Sequence, residues 1–266
     1  MSHASRSGPV AAATVDYSWL LETVPAHSTA VMLYGSLARG DSTASSDIDL
    51  LQLDERGIGH DNVGRVSIST YSPAQLRSMC EMGSLFALHL VSEGVVLRDP
   101  SGILGATLAA YQAPSSYAPV REEVELVAQI LDASDVEIAA NPGGFARLAL
   151  YLVRTAAILN HIESTGLPCF AIPELASSLR QPELVQVFDG REDNENLNAD
   201  RLRLARGHLE KLLGGAIHNS HGSVAAFAVN VEVDHPIAAR LALRLLGGDR
   251  DLGYGDLLLD PLTPPP

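Results

Sequence analysis

The sequence predicts an α/β module of the α+β kind, built on a short mixed sheet and followed by an all-α helical domain. Three observations point there. Apolar runs of strand length, bounded by turn residues, fall within residues 30–97. A segment rich in proline and serine, Ala-Pro-Ser-Ser-Tyr-Ala-Pro-Val at 113–120, then breaks the pattern. Beyond it, apolar side chains recur at helical spacing. The expected division is 1–113 for the sheet module, 114–247 for the helices and 248–266 for a flexible tail ending in three prolines.

Ala30–Tyr34 is a compact apolar run stopped by Gly35 and reads as a buried strand. Tyr17 and Trp19, ahead of it, are expected to pack against the sheet. Ile48–Leu53 reads as a second strand. Residues 65–71 alternate, with Val66, Ile68 and Thr70 on one side and Ser67 and Ser69 on the other, which makes a third. Ser72-Pro73 then opens a helix through Gln75, Leu76, Met79 and Cys80, with proline in the first turn. Residues 94–97 supply a fourth strand.

In the second half, Val124, Val127 and Leu131 share a helix face, as do Phe145, Leu148, Leu152, Leu159 and Ile162. Pro173 starts a shorter helix carrying Leu175 and Leu179. Leu202, Ala205, Leu209 and Leu212 mark another. Asp234 with Pro236 looks like the capped start of a last one, holding Ile237, Leu241 and Leu245. The acidic stretch 189–200 is expected to be a solvated loop.

Composition narrows the function. Hydrophobic residues make up 46% of the 266 positions and charged ones 19%, as in a globular protein. No apolar signal segment opens the chain, and the apolar run at 146–159 is interrupted by Arg147 and Arg154, so no membrane association is expected. Cys80 and Cys169 make no disulfide framework and no zinc pattern, which points to a cytoplasmic protein. Eighteen basic against 32 acidic side chains leave a formal charge of −14, which disfavours a long nucleic acid as partner.

The chemistry concentrates at 31–50, Val-Met-Leu-Tyr-Gly-Ser-Leu-Ala-Arg-Gly-Asp-Ser-Thr-Ala-Ser-Ser-Asp-Ile-Asp-Leu. A strand runs into Gly35 and Ser36, where glycine lets a ligand approach the backbone and N–H groups with the serine hydroxyl can receive phosphate oxygens. Arg39, one turn on, could add a charged contact or tie the loop down. Asp47 and Asp49 flank Ile48, so their carboxylates share one face of the second strand. Paired carboxylates suit Mg²⁺, which also takes phosphate oxygens and water. For both segments to serve one site, the first two strands must run antiparallel, hence a mixed sheet.

Gly35-Ser36, about ten residues, then Ser46-Asp47-Ile48-Asp49 and an apolar strand resembles the signature of the DNA polymerase β-like nucleotidyltransferase superfamily, in particular its minimal or aminoglycoside-type members with a helical C-terminal domain. Gly83-Ser84-Leu85-Phe86 and Glu93-Gly-Val-Val-Leu97 fit the order of later segments in such proteins. The resemblance implies transfer of a nucleoside monophosphate, AMP from ATP being the expected case, to a hydroxyl of a small molecule or protein, with release of pyrophosphate. It implies Asp47 and Asp49 as catalytic metal ligands, Gly35, Ser36, Arg39 and Ser46 as nucleotide contacts, and two Mg²⁺ ions bound with the nucleotide. Residues 1–113 would be the nucleotidyltransferase domain and 114–247 an acceptor-binding or regulatory domain.

One position departs from the pattern. Such proteins place a third carboxylate on the next strand, and counting back from Tyr71-Ser72-Pro73 gives Ser67, which cannot accept a proton at neutral pH. Three readings stay open: another carboxylate replaces it, with Glu93, Glu122, Glu123 and Glu125 as candidates; the enzyme runs slowly on metal positioning alone; or the chain binds nucleotide as a catalytically lapsed regulatory or interaction protein. A different class of reading uses Arg154 and His161, seven apart on one helix, as a nuclease pair. His27, His60, His89, His208, His218 and His221 are scattered without ligand spacing, and His218 with His221 reads as part of a polar loop rather than a metal pair.

Overall fold

The computed structural model describes residues 17–25, 27–43, 46–57, 59–190 and 194–249. The expected tail from 250 onward and the segment before residue 17 lie outside the described residues. In chain order the first half forms β1 (Ala30–Tyr34), α1 (Gly35–Arg39), β2 (Ile48–Leu53), β3 (Gly59–Val63), β4 (Val66–Tyr71), α2 (Pro73–Glu81), α3 (Leu85–Glu93), β5 (Val95–Arg98) and α4 (Ile103–Leu108). The elements described in the second half are helices: α5 (Ala118–Ala128), α6 (Asp135–Ala140), α7 (Pro142–Thr165), α8 (Ile172–Ser178), α9 (Leu184–Phe188), α10 (Ala199–Leu213), α11 (Val224–Val231) and α12 (Pro236–Leu246).

The five strands lie in the order β3-β4-β2-β1-β5. β1 pairs antiparallel with β2 and with β5, whereas β2 and β4 are parallel, so the sheet is mixed. Alternation along the strands divides the core. Met32, Tyr34, Leu51 and Leu53 pack on one face with Leu76, Phe86 and Leu90 from α2 and α3. Val31, Leu33, Leu50 and Ile68 cover the other face with Leu20, from the 3-10 turn Ser18–Thr23. Across the sheet, the buried Gln52 amide is satisfied at both ends, accepting from Ser28 Oγ at 2.7 Å and donating to Thr70 Oγ1 at 2.7 Å.

β3 carries no apolar signal. Gly-His-Asp-Asn-Val leaves its side chains largely exposed, and what makes it a strand is its pairing with β4. The two-residue hairpin is closed by Gly64 at φ +62°, the first central position, where the mirror-image turn requires a left-handed residue.

α2 starts on a capping box in which Ser72 and Gln75 exchange side-chain bonds with each other's backbone, a motif worth about 1 kcal/mol. A larger core lies among the helices, with Phe145, Leu148 and Leu152 of α7 packed among Leu202 and Leu209 of α10 and Phe227 of α11. Among the described residues no helix is long and apolar enough to cross a membrane.

Several details differ from the sequence reading. Trp19 is 51% exposed, and Leu20 takes the buried place instead. Tyr17 does pack on the sheet, its hydroxyl donating to the Leu37 carbonyl at 3.2 Å. Residues 118–120 of the expected linker belong to α5, whose first turn accepts Pro119. The N-cap of α12 is His235 rather than Asp234, with no side-chain cap bond. The acidic stretch contains a 3-10 turn, Asn194–Asn196, and ends in α10; residues 191–193 lie outside the described residues.

Candidate active site

The register of β1 against β2 pairs Tyr34 with Asp49, which brings the end of one strand to the start of the other. Gly35 follows at φ +75°, and a β-carbon there would stand 2.4 Å from Asp49 Oδ2. The backbone angle favours glycine, and any side chain here would also displace the carboxylate lying against it. Asp47 and Asp49 both open into one cleft of about 620 Å³, while Ile48 between them turns to the opposite face of the sheet. Gly35 and Ser36 form the adjoining wall.

Arg39 and Ser46 also line this cleft, and both have further partners. Arg39 Nη1 bonds Glu93 Oε2 at 2.7 Å and its Nε bonds Asp41 Oδ2 at 3.2 Å, so it ties α1 to α3. Ser46 Oγ accepts from the Thr43 backbone at 2.9 Å, and its carbonyl accepts from Arg65. These bonds hold Thr43 and Arg65 to Ser46, the residue before Asp47.

Behind Arg39, the half-buried Glu93 meets the buried His89. His89 Nε2 meets Glu93 Oε2 at 2.9 Å, and the ring stacks on Phe170 with centroids 4.3 Å apart. Burial works to raise the Glu93 carboxyl, but hydrogen bonds from His89 and Arg39 outweigh it and hold it below the ordinary carboxylate range. Burial also pushes the His89 imidazole down; the bond to Glu93 opposes this, and the charges of Arg154 and Arg39 reinforce it. Glu93 thus serves as an internal counter-ion, and it is not among the residues lining the cleft. Nor are Glu122, Glu123 and Glu125; Glu123 is buried against His235 at 3.1 Å.

The opposite wall comes from the helical half. Arg147 and Arg154, one heptad apart, project from α7 into the cleft, and with Tyr151 they form its half-buried stripe between fully buried neighbours. In sequence they read as interruptions of an apolar run. Phe170, Ile172 and Pro173 at the start of α8, with Val185 and Phe188 of α9, add an apolar surface. His161, about 10 Å further along the helix from Arg154, bonds Ser178 Oγ at 2.8 Å and lies outside the cleft lining. The nuclease pair is not brought together in one site.

The third corner is where the sequence placed it. Ser67 stands opposite Asp49 in the parallel β2–β4 pair and lines the cleft. Beyond it, Asn62 and His60 of β3 also line the cleft, so this corner is polar rather than apolar.

Among the described residues no group of three or more His, Cys, Asp or Glu side chains is placed to hold a metal ion. The donor set fits one Mg²⁺ only if a ligand supplies further oxygens, which is how this ion is ordinarily held beside a phosphate chain. Asp47 and Asp49 are the residues that would hold it.

No family model and no curated protein matches the chain. A solved structure of a nucleotidyltransferase-like protein from Exiguobacterium sibiricum is similar to it at 16% identity, over 91% of this chain and 83% of that one, with a TM-score of 0.27.

Proposed function

We propose that the protein is a Mg²⁺-dependent nucleotidyltransferase that moves a nucleoside monophosphate, AMP from ATP in the expected case, onto a hydroxyl of a small molecule or a protein. The observation that carries this reading is the convergence of Asp47 and Asp49 with the Gly35-Ser36 turn in one open cleft. Ser36 and the backbone of the turn bind the phosphate tail from one side, and Arg147 and Arg154 bind it from the other. Bound Mg²⁺ would supply charge neutralisation at the transferred phosphoryl group. The apolar surface of Phe170, Ile172 and Phe188 excludes water from that end of the cleft, and the helical domain contributes to acceptor binding.

A second reading, nucleotide binding without transfer, is favoured by Ser67 in the place of a third carboxylate. The two separate in one experiment. The protein is incubated with Mg²⁺, labelled ATP, GTP, CTP or UTP, and a panel of aminoglycoside-like and protein acceptors, followed by mass measurement of products. Adducts heavier by a nucleoside monophosphate, with pyrophosphate released, support the transferase. Bound nucleotide with neither product assigns the chain to the binding class.

A further inference from the structure

We propose that His60 is the catalytic residue that takes the proton from the attacking hydroxyl, in place of the carboxylate that Ser67 does not supply. The inference rests on the transferase reading.

Its basis is the strand that the sequence pattern did not reveal. β4 lies between β2 and β3, with Asp49 opposite Ser67 and Ser67 opposite Asn62. His60, two residues from Asn62, is on the same face of β3, and both line the cleft that holds Asp47 and Asp49. His60 stands opposite Ser69, one two-residue step along β4 from Ser67, so two strand spacings and that step put it roughly 12 Å from Asp49. That separation leaves room for an acceptor hydroxyl and an α-phosphate between the imidazole and the carboxylates.

The chemistry suits the position. As a class, imidazole both accepts and gives up a proton near neutrality, which makes it a better general base there than an exposed carboxylate. Asp41, in the loop after α1, is paired with Arg39, and Asp189 reaches the cleft from the helical wall. Neither shares the sheet face of Ser67. In the step, the acceptor O–H gives its proton to a ring nitrogen of His60 as its oxygen bonds the α-phosphorus. The α–β bridging P–O bond breaks, and pyrophosphate leaves with the electron pair. The imidazolium then returns its proton to solvent.

The test uses the full chain, with binding of a fluorescent ATP analogue in Mg²⁺ and pyrophosphate release over the acceptor panel measured for wild type, His60→Asn and His60→Asn combined with Ser67→Asp. His60 is exposed on an edge strand, so its replacement should leave folding intact, which thermal melting checks. The expected result is unchanged nucleotide binding by His60→Asn with release slowed ~10²–10⁴-fold, and recovery of at least about tenfold of that rate when Ser67→Asp restores a carboxylate to the third corner. Release by His60→Asn at the wild-type rate would overturn this inference alone, as would a double variant that binds nucleotide but recovers nothing. A wild type that binds nucleotide and releases no pyrophosphate with any acceptor would overturn the transferase reading and this inference with it.

Discussion

Asp49 rests against Gly35 so closely that a side chain at residue 35 would push its carboxylate aside: the β-carbon would meet Asp49 Oδ2 at 2.4 Å. Because the clash is with a carboxylate that faces the cleft, relief by movement of Asp49 would disturb the site itself. Gly35→Ala is expected to cost about 1–3 kcal/mol through the left-handed backbone and the contact together, and to weaken binding of Mg²⁺-nucleotide. Thermal melting and an ATP titration check both. A variant as stable as wild type, with full affinity, would mean that the turn has slack.

The arginine stripe of α7 yields a prediction about which part of the nucleotide it reads. Arg147→Ala and Arg154→Ala are each expected to weaken ATP binding roughly tenfold, as loss of a charge-assisted contact does. AMP binding should change little. Equal losses for ATP and AMP, measured by calorimetry, would place these side chains away from the β- and γ-phosphates.

Stability should fall in acid through the His89–Glu93 pair. The His89 imidazole is held below its ordinary range, so the unfolded chain binds more protons there, and stability drops as pH falls below about 6.5. His208, lowered chiefly by its burial, acts in the same direction. Glu93 is also held low, so its contribution is present above the ordinary carboxylate pKa of about 4.3 and is lost as pH falls further. Melting temperature is expected to decline between pH 7 and pH 5, less steeply in His89→Gln than in wild type. Parallel slopes for the two proteins would contradict the assignment.

The parts of the site legible in sequence were those that local chain geometry dictates. Asp47 and Asp49 share a face because side chains alternate along a strand, and the antiparallel β1–β2 pair follows from their need to meet Gly35. The resemblance pointed to Ser67 as the third position, and it does stand opposite Asp49. What escaped the sequence depended on distant partners. β3 is a strand through its pairing with β4, so Gly-His-Asp-Asn-Val gave no apolar alternation to read. The role of Glu93 depends on Arg39, 54 residues away, which turned an apparent turn residue into a half-buried counter-ion. Arg147 and Arg154 gained their meaning only when the helical half supplied the cleft's second wall.

The central claim is that Asp47 and Asp49 hold a divalent cation against a nucleotide seated on the Gly35-Ser36 turn. The most direct measurement is calorimetric titration with ATP, with Mg²⁺ and with chelator, for wild type and for Asp47→Asn combined with Asp49→Asn, alongside pyrophosphate release. Magnesium-dependent binding and release by wild type, both lost in the double variant while its melting temperature is retained, is the expected result. A double variant that binds ATP and releases pyrophosphate as wild type does would contradict the account.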